Sequence, residues 1–165
     1  MTGVPTGSDA DVAAVTEANL ALYTALEEGD LDALTDAWVS GADADDVHGA
    51  VCVHPGWPVL RGRASVLRSY ALIMAHTDYI QFFLTDVEVE VLGDVALVTC
   101  TENILSSGDV ETEGELGPLV GGQAVATNLF RRTGEGWRLW SHHGSPVLTG
   151  GGEDGDDGDD AGGAV

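Results

Sequence analysis

A chain of 165 residues, 44% of them hydrophobic, is long enough to bury one real core and short enough for a single domain. It carries 28 Asp and Glu against 6 basic residues, all of them Arg, for a net charge of −22; such a surface repels nucleic acid and anionic lipid, and neither is expected as a partner. No run approaches the about 18 apolar residues of a membrane span, and Met1-Thr2-Gly3-Val4-Pro5 has neither the basic nor the apolar part of a signal peptide, so a soluble, cytoplasmic protein is expected.

Abundant Asp with no lysine resembles the surfaces of proteins from salt-loving organisms, where screening relieves self-repulsion; a lysine-poor codon bias is the alternative. Cys52 and Cys100 sit in apolar, strand-like contexts and read as buried thiols in a reducing compartment.

Residues 1–8 are rich in Gly, Pro, Thr and Ser and are expected to fray. A first helix is predicted from Ser8 or Asp9 to Gly29, with Val12, Val15, Ala18, Asn19, Leu22 and Leu26 on one face. Asp30 caps a second, from Leu31 to about Ser40. The acidic turn Gly41–Asp46 lacks the glycine and terminal Glu of a calcium loop.

A short strand, Gly49 to His54, then delivers one imidazole, and Trp57 follows between Pro55 and Pro58. Neither proline can donate to a sheet ladder, so the segment belongs at a sheet edge or rim, where backbone on both sides holds His54. A purely structural role, with His54 hydrogen-bonded and Trp57 a plug, is the competing reading. A third helix is predicted from Arg63 to Ala75.

In the strand from Tyr79 to Leu92, Ile80, Phe82 and Leu84 occupy even positions and Val87, Val89 and Val91 odd ones. That change of parity near Thr85-Asp86 predicts a bulge, which bends a sheet. Gly93-Asp94 turns the chain into a strand over Val95–Leu105. Ser106–Gly122 reads as a mobile loop, followed by strands over Gln123–Arg132 and Trp137–Val147. Residues 148–165 are an acidic, glycine-rich tail expected to be disordered. Helices followed by strands indicate an α+β fold, with a curved antiparallel sheet wrapped over three N-terminal helices, in a cone around a cavity.

Glu28-Gly29-Asp30-Leu31-Asp32, His54-Pro55-Gly56-Trp57, Leu60-Arg61-Gly62, Cys100-Thr101-Glu102-Asn103, Ala126-Thr127-Asn128-Leu129-Phe130 and His142-His143-Gly144-Ser145-Pro146 together resemble the nuclear-transport-factor-2-like superfamily. Within it they are similar to the SnoaL-like proteins related to ketosteroid isomerase and polyketide cyclases, over residues 9–147. The superfamily hosts isomerases, cyclases, dehydratases, hydrolases and non-enzymatic binding domains. By that resemblance, His54 stands where the isomerase has its general-base carboxylate, and Asn128 where it has an acid that donates to the developing oxyanion. The isomerase's oxyanion tyrosine falls on Leu22, with Tyr23 one residue off and turned about 100° away, which argues against steroid isomerisation.

Strand parity sorts the remaining candidates. Ala124, Ala126, Asn128 and Phe130 share one face, as do Ala96, Val98, Cys100 and Glu102. On the last strand Leu139, Ser141, His143 and Ser145 lie together, with His142 and Trp140 pointing away. The expected constellation is His54, Glu102, Asn128 and His143 in a pocket lined by Trp57, Tyr70, Phe82 and Phe130. His54, His143 and Glu102 are metal-ligand types, but no HxH or HExxH spacing occurs and no metal is assigned; no glycine-rich phosphate loop implies an organic cofactor.

The expected ligand is an apolar small molecule with a carbonyl or hydroxyl group, and the expected chemistry proton abstraction next to a carbonyl, as in an isomerase, cyclase or dehydratase-like lyase. A non-catalytic binding or dimerisation module is the alternative; only the enzyme needs an open cavity with a histidine facing it. The resemblance implies a homodimer through the outer sheet face, where Leu97, Leu129 and Trp140 lie.

Overall fold

The computed structural model describes residues 6–40, 49–108 and 116–148. The order is α1 (Asp9–Glu28), α2 (Leu31–Ala37), β1 (Val51–Val53), β2 (Leu60–Arg61), α3 (Arg63–Ala75), β3 (Thr77–Leu92), β4 (Val95–Gly108), β5 (Val120–Thr133) and β6 (Gly136–Pro146). Among the described residues no helix is long and apolar enough to cross a membrane.

Helix α1 starts where Ser8 and Asp11 form a reciprocal capping box and stops at Gly29, whose φ of 64° suits a residue without Cβ. Asp30 caps α2 by accepting from the Ala33 N–H. The carbonyls that close α2 are taken up from a distance. Arg63 donates to Thr35, Trp38 and Val39 carbonyls, tying α3 to that end.

The strands form one six-stranded sheet ordered β2-β1-β6-β5-β4-β3. β3 to β6 are the expected antiparallel meander, but the sheet is mixed, because β1 adds to β6 in parallel. The ladder slips between Thr85 and Glu88, where Asp86 takes a φ of 52°, so the predicted bulge is present. β4 and β5 run further than expected, to Gly108 and from Val120, since Ser106 pairs with Val120. Of the N-terminal segment expected to fray, residues 1–5 lie outside the described residues, while Thr6 bridges Leu92 and the Gly7 N–H donates to the Val91 carbonyl. The acidic turn over residues 41–46 and the tail from residue 149 lie outside the described residues.

Val15, Leu22 and Tyr23 of α1, Leu34, and Val66 and Tyr70 of α3 pack onto Val98, Cys100, Ala126, Phe130 and Leu139 of the sheet. Burying these faces drives the helices onto the concave side. The space they leave open lies toward the ends of α1 and α3.

Candidate functional site

His54 follows β1 directly. Pro55 ends the strand, and the turn closes through Trp57 N–H to the His54 carbonyl. The imidazole is 5% exposed, with Tyr70 edge-on at 4.8 Å and Trp57 at 5.0 Å between ring centroids. Its Nε2 lies 2.7 Å from Ser69 Oγ, which gives its one hydrogen to the Val66 carbonyl at 2.6 Å. Ser69 therefore accepts from Nε2–H, and Nδ1 is left as the basic nitrogen. Burial holds this imidazole down at about 4, so it is neutral at ordinary pH.

Cys52 Sγ is 3.8 Å from His54 Nδ1 and 3.7 Å from Nε2, so it lies over the ring rather than in line with either nitrogen. Burial pushes this thiol up to about 12, which removes it as a thiolate nucleophile.

A second buried group assembles from α1, β4, β5 and β6. Asn19 and Tyr23, one turn apart on α1, face the sheet. Asn128 is paired with Val98 on one side and His142 on the other. Its Nδ2 donates to Asn19 Oδ1 at 2.8 Å and Tyr23 Oη at 3.2 Å, and its Oδ1 meets His142 Nδ1 at 2.6 Å. Tyr23 Oη donates to Glu102 Oε1 at 2.6 Å.

Glu102 is 3% exposed, and burial raises its carboxyl above the usual range, with the Tyr23 bond opposing part of the rise. His142 is pushed down to about 3, first by burial and then by the neighbouring His54 and His143.

These two groups meet at a cavity of about 310 Å³. His54, Tyr70 and Glu102 are its buried end, and Leu26, Ile73, Met74, Ile80, Phe82 and Ile104 supply apolar wall. Glu27, Glu28, Trp57 and Asp78 line it from exposed positions, Trp57 at 42%. Glu27 is held there by accepting the Phe82 N–H on the outer edge of β3. Among the described lining residues none is Lys or Arg, and among the described residues no three His, Cys, Asp or Glu side chains are grouped to hold a metal ion.

Of the residues the sequence pointed to, His54, Glu102, Trp57, Tyr70 and Phe82 line this cavity, and three do not. Asn128 is fully buried one layer behind, with both amide hydrogens committed, so it is not free to donate to a ligand. Phe130 is 1% exposed within the core.

His143 is exposed on the other face, and His142 takes the inward place. The cause is a bulge in β6. Leu129 pairs with Ser141 and Phe130 with Leu139, so Trp140 is an extra residue, and inward positions change from odd (Trp137, Leu139) to even (His142, Gly144).

Sequence reasoning missed Tyr23, Asn19, His142 and Ser69. A polar Asn19 inside an apolar stripe, one turn from Tyr23, was a signal; so was Gly144 inside a strand, where an added Cβ would lie 2.9 Å from Pro55.

A sequence model of the SnoaL-like domain matches residues 15–149. Among solved structures the chain is similar to a candidate dehydratase of the nuclear-transport-factor-2-like family from Streptomyces avermitilis, at 61% identity over 87% of this chain and 100% of that one, with a TM-score of 0.81. It is also similar to a candidate calcium/calmodulin-dependent protein kinase type II association domain from Thiobacillus denitrificans, at 27% identity over 81% and 94% of the two chains, TM-score 0.63. A ketosteroid isomerase-like protein from Erwinia carotovora atroseptica, at 18% identity over 86% and 100%, TM-score 0.67, shares the fold. No curated protein matches the chain. The motifs, the curved sheet over three helices and these matches together make the chain a member of the SnoaL-like domain family, within the nuclear-transport-factor-2-like superfamily.

Proposed function

We propose that the protein is an acid–base enzyme that eliminates water from a small, uncharged, apolar β-hydroxy carbonyl compound. The observation that carries this reading is the buried end of the cavity, where burial acts on two ionisable groups in opposite directions. The Glu102 carboxyl keeps its proton to higher pH than usual, while His54 stays unprotonated down to about 4. From about pH 4 up to the raised range of Glu102, one site thus offers a carboxylic acid and a neutral imidazole together, the two forms an elimination needs.

In that reaction His54 takes the proton from the carbon next to the carbonyl. The released electron pair forms the C=C bond as the C–O bond to the hydroxyl breaks, and Glu102 protonates the departing oxygen to give water. Imidazolium and carboxylate form together, so the net charge of the cavity does not change, and a proton passing from His54 back to Glu102 through solvent resets the site. The low dielectric of the walls strengthens the attraction between the two ions as they form.

Rim carboxylates and the lack of a lining Arg favour an uncharged substrate over a carboxylate or phosphate. The dehydratase description of the 61% identical relative agrees with the reaction class. An open cavity faced by a histidine favours catalysis over a module whose interior is filled by its own side chains.

The test is incubation with a panel of uncharged aryl β-hydroxy ketones, following enone absorbance and, in D₂O, deuterium uptake next to the carbonyl. Wild type is expected to form enone, and H54A and E102Q to lose about 10²-fold or more in rate while remaining folded. Absence of both exchange and enone across the panel, or variants as fast as wild type, overturns the reading. Exchange with a migrated double bond instead of water loss would assign an isomerase.

A further inference from the structure

We infer that Tyr23, Asn128 and His142 are positioning residues whose hydrogen bonds run in one direction, holding Glu102 Oε1 as an acceptor and leaving Oε2 as the oxygen that exchanges a proton with an occupant of the cavity. The purpose of that exchange rests on the acid–base reading above; the direction of the chain does not.

With Asn19 presenting its Oδ1 to Asn128, the direction follows from counting hydrogens. Asn128 has two N–H donors on one atom and an acceptor on the other. Its nitrogen faces two oxygens, Asn19 Oδ1 and Tyr23 Oη, so its oxygen is the atom that meets His142 Nδ1. That 2.6 Å contact requires a hydrogen on Nδ1. Tyr23 Oη, accepting from Asn128, has one hydrogen of its own, and the 2.6 Å contact gives it to Glu102 Oε1. Cys100 Sγ, at 3.7 Å from the same hydroxyl, is the weaker neighbour. Turning the Asn128 and Asn19 amides over together is the arrangement that reverses the chain: it sets Asn128 Nδ2 against an unprotonated His142 Nδ1 and draws the Tyr23 hydrogen toward Asn128 Oδ1 and away from Glu102.

The chain also sets how readily Glu102 gives up a proton. Among the described residues, the ionisable groups that act with it are Tyr23 from α1, Tyr70 from α3, Cys52 from β1 and Cys100 from β4 itself, while Glu27 and Glu28 of α1 and Asp78 of β3 line the same cavity from exposed positions. Burial keeps the tyrosines and cysteines protonated and uncharged, and His54 in the same cavity is neutral. The Tyr23 hydrogen bond is therefore the specific contact that favours the carboxylate, against burial, which opposes it.

Nitrogen-15 NMR of the full chain reads imidazole tautomers directly. His142 is expected as the neutral Nδ1–H form, the reverse of the tautomer that histidine favours in water. Finding Nε2–H there would reverse the chain and overturn the inference.

Carbon-13 titration of the Glu102 carboxyl in wild type, H142Q, H142L and Y23F is the second measurement. In H142Q the new side-chain amide can still donate to Asn128 Oδ1, and this variant is expected to keep the wild-type midpoint, whereas H142L and Y23F raise it by about one pH unit. An unchanged midpoint in both H142L and Y23F overturns the inference, and Y23F with the tautomer decides it should H142L fail to fold. Neither readout needs a substrate. Expected tautomer and midpoints without any elimination would sink the proposed reaction and leave the positioning chain standing.

Discussion

Tyr23 on α1 donates a 2.6 Å hydrogen bond to Glu102 Oε1 on β4, across 79 residues of sequence. Both side chains are nearly excluded from solvent, at 2% and 3% exposure. The contact joins the helical layer to the sheet at the point where the cavity begins, so one bond ties the packing of α1 to the cavity wall.

Replacing Tyr23 with Phe removes one hydroxyl and leaves two groups short of a partner: Glu102 Oε1, and one hydrogen of Asn128. An unpaired buried polar group costs about 1–3 kcal/mol. Y23F is expected to lose stability in that range by urea unfolding, with Glu102 becoming a weaker acid. A variant as stable as wild type would mean that water replaces the hydroxyl.

The buried histidines make the fold acid-sensitive. Their folded pKa values, about 4 for His54 and about 3 for His142, lie below the ordinary 6.5, so the folded state binds protons less readily than the unfolded chain. Their contribution is fully present above pH 6.5 and is lost as pH falls toward 4 for His54 and 3 for His142. Glu102, raised, acts in the opposite sense: what it contributes is present below its ordinary 4.5 and fades as pH rises through its folded value. Melting temperature is expected to drop between pH 6.5 and 4, and H54Q to flatten that drop; equal slopes for H54Q and wild type would contradict it.

Gly144 should tolerate no side chain. A Cβ there would come within 2.9 Å of Pro55 Cδ and Cγ, so the parallel β1–β6 pair must spread and carry the His54 turn with it. G144A is expected to cost about 1–3 kcal/mol, as overpacking does, and to shift the His54 ring resonances. Unchanged stability and spectrum would show that the turn can yield.

For the outer sheet face we propose self-association. The outward positions of β4 and β5, from Val95 through Leu105 and from Gly121 through Arg131, hold no carboxylate in a chain with 28 acids, and Val125 there is 45% exposed. Two such faces can meet without opposing the net charge of −22 where it is densest. Sedimentation is expected to give a dimer that salt strengthens and V125D breaks; a wild-type monomer at all salt concentrations rules it out.

Much of this could be read along the chain wherever a local signal stood alone. Ser8 and Gly29 mark the ends of α1, and the change of apolar parity at Thr85-Asp86 marks a bulge, because each needs only neighbours in sequence. The bulge at Trp140 had no such mark. Leu139 and Trp140 are both large and apolar, so either parity fits beyond them, and odd parity carried through puts His143 inward where the structure puts His142.

By itself the sequence determined the three helices, the four-strand meander, His54 at a proline-stopped strand end and Glu102 on the inward face of β4. Each follows from apolar periodicity, capping or the absence of a proline N–H. The tertiary structure alone decided what those residues do. Asn128 faces inward as its parity requires, yet its hydrogens go to Asn19 and Tyr23, 109 and 105 residues away. Such bonds form because a buried polar group must find a partner wherever packing happens to put one, and packing is a property of the whole chain.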